Sequence, residues 1–144
     1  MMHDPVTIHR PSQEAFARIV ELIGRFELDD RSLSASEFLV AYQGNQLLGF
    51  GRIRKYATCS ELCSLGVVEP RRHQGIGSQL VQALVADAPL PLYLVCIIPG
   101  FFQPFGFRLV AEYPAEMSDK LLYCREALTV PEEYVVMKYE HRAA

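Results

Sequence analysis

The chain contains no tryptophan, only four cysteines in 144 residues, and no surplus of positive charge. Each shortage removes a class of reading. Cys59, Cys63, Cys96 and Cys124 show no C-x-x-C spacing and no histidine pair beside them, so no metal site is expected. Reduced, mostly buried thiols in a cytoplasmic protein are the expectation instead. A net charge of -3 and a pI near 5.8 speak against a nucleic-acid binder that works through a global basic field. A local basic patch remains open at the adjacent Arg71, Arg72 and His73. No stretch approaches the roughly 18 apolar residues of a membrane helix. The longest, Leu90 to Ile98, is strand-sized and interrupted by Pro91, so no membrane partner is expected. The opening M-M-H-D-P-V-T has no apolar run of the signal-peptide kind, and no leader is expected.

What remains is ordinary globular composition, 50% apolar and 22% charged, with no repeat, linker or low-complexity tract. One domain over residues 1–144 is expected, long enough to bury a core. Val6 to His9 reads as a strand closed by Pro11. Ser12 offers an N-cap to a helix whose Phe16, Ile19, Val20 and Ile23 recur at helical spacing up to Gly24. Glu27 to Glu37 reads as a short helix with irregular flanks. Phe38 to Tyr42, Leu47 to Lys55 and Thr58 to Val68 then form a meander turning at Gly44-Asn45. Gly49 and Gly51 within it predict a bend or close backbone approach. Strict alternation would put Glu61, Cys63, Leu65 and Val67 on one face.

Ile76, Leu80, Val81, Leu84 and Val85 make a helical stripe ending before Pro89. Leu92 to Ile98 suits a central strand covered on both faces. Phe107 to Glu112 and Tyr134 to Tyr139 read as further strands, and Ser118 to Ala127 fits no pattern clearly. The sum is an α/β (α+β) chain with a mixed central sheet of about six to seven strands flanked by helices.

The junction from Ser60 to Leu80, S-E-L-C-S-L-G-V-V-E-P-R-R-H-Q-G-I-G-S-Q-L, is where chemistry concentrates. A strand runs into a basic, glycine-containing turn and then a helix N-terminus, so backbone amides can converge on an anion. Gly75 and Gly77 would let a diphosphate approach the main chain, and Arg72 would add positive charge. A dinucleotide fingerprint lacks its first and third glycines here, and a nucleotide-triphosphate P-loop lacks its G-K-S/T. A plain strand-to-helix connection shares the same spacing.

The stretch L-G-V-V-E-P-R-R-H-Q-G-I-G-S-Q-L resembles motif A of the GNAT family of acetyl-CoA-dependent N-acetyltransferases, whose R/Q-x-x-G-x-G/A is matched by Arg72, Gly75 and Gly77. Downstream, L-Y-L-V-C-I-I-P-G-F-F-Q-P-F-G-F resembles the family's next strand and its F-F/Y-x-x-x-G-F signature, matched by Phe101, Phe102, Gly106 and Phe107. Upstream, Q-L-L-G-F-G-R-I resembles its glycine-bearing third strand. The resemblance spans roughly Leu47 to Val110. A more scattered likeness, in A-T-C-S-E-L-C-S-L-G-V and K-L-L-Y-C, points to the acetyltransferase domain of N-acetylglutamate synthases.

The resemblance implies a GNAT-like fold and acetyl-CoA as co-substrate, without a metal. The motif-A segment Arg72, His73, Gln74, Gly75, Ile76, Gly77 and Ser78 would hold the coenzyme diphosphate. The backbone of Leu65, Gly66 and Val67 would hold the pantetheine arm, with the Leu65 amide polarising the thioester carbonyl. Phe102 and Phe105 would flank the thiol end. Glu61, four residues before Leu65, would be the general base for a primary amine on a small metabolite, such as an amino acid. The usual tyrosine that protonates the leaving thiolate is Phe102 here. Tyr93, Tyr113 and Tyr123 are substitutes among which the sequence does not choose.

Arg52 and Arg54 are candidate partners for a substrate carboxylate, or simply solubilise an edge strand. Cys63 and Cys96 read as buried filler rather than acyl-accepting nucleophiles. A homodimer through the C-terminal strand follows from family habit. A non-catalytic coenzyme A sensor, or a transferase acting on protein lysines or N-termini, would share these motifs.

Overall fold

The computed structural model describes residues 4–72, 74–127 and 133–140. It contains β1 (Val6–His9), α1 (Gln13–Arg25), β2 (Phe38–Gln43), β3 (Gln46–Lys55), β4 (Ser60–Val67), α2 (Ile76–Ala86), β5 (Leu92–Cys96), the single turn α3 (Pro99–Phe102), β6 (Phe107–Leu109), α4 (Ala115–Ala127) and β7 (Val135–Tyr139). The strands form one seven-stranded sheet in the order β1-β2-β3-β4-β5-β7-β6. The β4–β5 pairing is parallel, and β1–β2, β2–β3, β5–β7 and β6–β7 are antiparallel. The mixed α+β sheet is what the sequence predicts.

Contacts divide the chain into two compact units, Met1–Ile53 with Ser64–Asp87, and Arg54–Cys63 with Ala88–Ala144. In the first, Ser12 caps α1 by accepting from the Ala15 amide at 3.1 Å. The helix buries Ala15, Ile19, Leu22 and Ile23 and leaves Val20 exposed. Its apolar stripe is therefore rotated slightly from the one the sequence suggests. It packs on Phe38, Val40 and Phe50, while α2 sets Ile76 and Leu80 against Ala41 and Leu48. A Cβ on Gly49 would lie 2.8 Å from the Gly66 carbonyl oxygen, and one on Gly51 2.8 Å from Leu84 and 3.0 Å from Leu65. These are the close approaches the strand glycines predict.

Residues 27–37 hold only a short 3-10 turn, Ala35–Glu37, in place of the expected helix. Glu27 and Ser32 take φ of 55° and 51°, conformations that no right-handed helix accommodates. The Asp29 carboxylate instead accepts from the Arg31 amide, a local bond that competes with helix.

In the second unit, α4 buries Met117, Lys120 and Cys124. A lysine on the inward face erases the apolar stripe, which is why the segment fits no pattern. Met117 packs with Cys59, Tyr93 and Val136. Strand β7 pairs with β5 on one side and β6 on the other. Among the described residues both edges of β7 are therefore paired within the chain. No helix among the described residues is long and apolar enough to cross a membrane.

Candidate functional site

Strand β4 ends in the 3-10 turn Glu69–Arg71, and α2 begins at Ile76. Gly75 is the N-cap, with φ 83° in the left-handed region, and no side chain caps the helix. The first helical hydrogen bond runs from the Gln79 amide to the Gly75 carbonyl at 3.1 Å. The amides of Ile76, Gly77 and Ser78 thus have no acceptor within the helix and sit at its positive end. Ile76 is buried, while Gly77 and Ser78 are half-buried and Gly75 is exposed. A Cβ on Gly75 would meet nothing within 4 Å, so the glycine is there for its φ and not for space. The donors, the lack of a competing cap and the bare Gly75 backbone fit a diphosphate.

Arg72 is fixed beside this turn. Its Nε donates to the Val67 carbonyl at 2.9 Å, and its guanidinium lies 5.0 Å from the Phe26 ring centroid. Gln74 accepts from Arg71 at 2.7 Å. His73 lies outside the described residues. Leu65 and Val67 are half-buried against the cluster that holds Ile76 and Leu80, and Gly66 is buried. A cavity of about 660 Å³ in the same unit is lined by Arg18, Arg25, Tyr42, Asn45 and Pro70; neither Leu65 nor the turn at Gly75 lines it.

Ser64, just before Leu65, has φ 53° inside a strand. A left-handed residue interrupts period-two alternation as a bulge does. The even count that puts Glu61 and Leu65 on one face is therefore interrupted at Ser64.

Glu61 has no exposed surface. Its Oε1 accepts from the Tyr56 hydroxyl at 2.9 Å, and Oε2 lies 2.6 Å from the Lys120 ammonium. Burial first, and then the Glu61 charge, push the Tyr56 phenol well above its ordinary range. Arg54 lies over the Tyr56 ring at 5.1 Å, and its Nη1 is buried with no hydrogen-bond partner among the described residues. Tyr56 and Lys120 are the site neighbours that sequence reading misses. Tyr56 could have been found, since it stands just across the β3–β4 turn from Glu61. Nothing in a helix without a clear stripe points to Lys120.

Phe102 is buried, edge-on to Phe101 at 4.9 Å and to Phe107 at 5.9 Å, and Phe105 is half-buried against Phe101. Tyr93 is buried, with the Lys138 ammonium 5.7 Å from its ring centroid. All four cysteines are buried and none forms a disulfide, and burial raises the Cys96 thiol above its ordinary value. Burial suits a filler role for Cys96, while the Cys63 sulfur lies within 4.8 Å of a Glu61 carboxylate oxygen. Arg52 is fully buried with its donors satisfied inside the protein, so it is not a partner for a substrate carboxylate.

The model of the acetyltransferase (GNAT) family matches residues 7–107. The chain belongs to the GNAT family. No curated protein matches it in sequence, but solved structures share its fold. N-acetylglutamate synthase from Neisseria gonorrhoeae, complexed with coenzyme A and L-arginine, is similar at TM-score 0.72 and 18% identity, over 96% of this chain and 34% of that one. Rv2747 from Mycobacterium tuberculosis, in complex with coenzyme A and NLQ, is similar at TM-score 0.74 and 16% identity, covering 94% and 99%. Naa50 from Arabidopsis thaliana, in complex with the bisubstrate analogue CoA-Ac-MVNAL, is similar at 0.65 and 16%, again over 94% and 99%. This GNAT chain spans about a third of the length of the N-acetylglutamate synthase chains it matches.

Proposed function

We propose that this GNAT chain transfers the acetyl group of acetyl-CoA to a primary amine of a small metabolite, with amino acids as the first acceptors to try. The observation that carries the reading is the start of α2, uncapped and opened by a left-handed Gly75, in the connection that follows β4. Acetyl-CoA supplies the activated acetyl thioester when bound. The turn from Arg72 to Ser78 holds its diphosphate, the backbone of Leu65 to Val67 its pantetheine arm, and Phe102 and Phe105 its thiol end. The Leu65 amide polarises the thioester carbonyl, aimed at charge that grows as the amine attacks.

Glu61 is the final proton acceptor. Because it has no exposed surface and Tyr56 occupies Oε1, the proton passes in two hops. It leaves the nitrogen for Tyr56 Oη as the phenolic proton moves to Oε1. The raised phenol keeps Tyr56 protonated near neutral pH, so it conducts the proton and does not hold it. The amide bond forms as the carbon–sulfur bond breaks, and the thiolate takes its proton from solvent, since Phe102 has none to give.

A non-catalytic coenzyme sensor is the second reading, favoured by Phe102 and by the closure of Glu61 against Lys120. Thermal unfolding with and without acetyl-CoA, followed by thiol release over a panel of amino acids and polyamines, separates the two. A thermal shift with turnover supports the transferase, and a shift without turnover on any amine supports the sensor. No shift removes both. Glu61→Gln should leave coenzyme binding intact and lower turnover about 10²–10⁴-fold; full turnover would make the glutamate structural.

A further inference from the structure

Arg52 has no exposed surface, yet each of its five guanidinium N–H donors has an acceptor. Nε donates to Ser64 Oγ at 3.0 Å. Nη1 reaches the Ser32 carbonyl at 3.3 Å and the Glu37 carboxylate at 3.4 Å. Nη2 reaches the Arg31 carbonyl at 2.9 Å and the Asp29 carbonyl at 3.4 Å. The Asp29 carboxylate, 3.7 Å away, and the Glu37 carboxylate offset the charge, and the Phe38 ring lies under the guanidinium at 5.7 Å. Ser64 closes the ring of contacts by donating its own hydroxyl to the Asp29 carbonyl at 2.8 Å.

Three non-glycine residues among those described have positive φ, namely Glu27, Ser32 and Ser64. Arg52 bonds directly to two of them. Backbone held in sparsely populated conformations persists only where surrounding bonds over-determine it, and such strain gathers at functional sites. Ser64 is also the residue that sets the plane of the peptide carrying the Leu65 N–H. The strained position and the proposed carbonyl donor are therefore consecutive residues on β4.

We propose that Arg52 and Ser64 are positioning residues for the reaction: they hold β4 in its left-handed kink, so that the Leu65 amide is fixed where the acyl carbonyl needs a donor. This rests on the coenzyme reading above and adds the device that aims the donor. A guanidinium suits the task because its planar fork meets diverging carbonyls at set angles, which the three rotatable donors of a lysine cannot do.

The test uses the whole chain with Arg52→Lys, Ser64→Ala and Ser64→Gly. Glycine adopts the left-handed conformation without cost, whereas alanine loses the hydroxyl and keeps the strain. Ser64→Ala and Arg52→Lys should lower kcat about 100-fold, the scale of a misplaced reacting group, with acetyl-CoA affinity and amine KM near wild type. Ser64→Gly should recover much of the kcat. A second readout, independent of turnover and of any failure of Arg52→Lys to fold, is the ¹⁵N–¹H signal of Leu65. Acetyl-CoA should shift it in the wild type and in Ser64→Gly, and much less in Ser64→Ala.

A wild-type thermal shift with acetyl-CoA, combined with Leu65 signals and kcat values alike in all variants, overturns this inference alone. A kcat loss that merely tracks lost coenzyme binding overturns it too. A wild type whose melting temperature ignores acetyl-CoA overturns the coenzyme reading, and this one with it.

Discussion

At Glu61 the two carboxylate oxygens keep different company, a phenol on one and an ammonium on the other. Lys120→Met would strand the carboxylate in a buried place without its cation, and denaturant unfolding should record a loss of about 3–5 kcal/mol. The double change Glu61→Gln with Lys120→Met should restore part of that, because the two effects share one interaction. Tyr56 gives a separate pH signature. Its folded pKa lies above the ordinary 10.0, so its contribution to stability is complete below pH about 10. As pH rises further, the unfolded phenol ionises first, the folded state holds more protons, and stability falls. Tyr56→Phe should flatten this alkaline decline in pH-resolved thermal melts, and a wild-type slope that persists in the variant would assign it to other groups.

Among the elements, α2 carries the clearest functional expectation. Gly75→Glu places a negative side chain at an amide cluster meant for an anion, and forces a non-glycine residue to φ 83°. Calorimetric titration should find acetyl-CoA binding abolished, while far-ultraviolet dichroism stays that of a folded chain. This element was legible beforehand because glycine, arginine and an apolar stripe at Ile76, Leu80 and Leu84 each leave a mark in the sequence. The strands flanking it were legible through their period and their glycines. Other parts were hidden for physical reasons. The inward face of α4 includes Lys120, whose burial depends on a glutamate far away in the chain. Residues 27–37 carry helix-compatible side chains but are bent by two left-handed residues, Glu27 and Ser32, the second of which Arg52 holds from β3. Arg52 itself looks like any strand arginine until its acceptors are seen. The kink at Ser64 has no sequence signal, since serine is not a residue that ordinarily marks a positive φ.

For the whole molecule, the four buried thiols give a simple global probe. With Cys59, Cys63, Cys96 and Cys124 all inaccessible, a thiol reagent should label the native chain slowly and label all four once urea has unfolded it. Rapid native labelling would show a more open chain than the one described. Acetyl-CoA at about 100 times its dissociation constant should add roughly 2.7 kcal/mol to the stability of the fold, read as a rise in Tm. A last consequence concerns how this sequence can drift. Three of the groups that receive Arg52 are main-chain carbonyls, at Asp29, Arg31 and Ser32. A carbonyl is indifferent to the side chain it belongs to, so these bonds leave position 31 free to exchange residues over generations, while φ 51° keeps position 32 to residues that tolerate the left-handed region. Their spacing is not free. Inserting or deleting one residue between α1 and β2 would shift these carbonyls away from a guanidinium that cannot follow. Kindred chains that retain this arginine should vary in letters along that segment and agree in its length.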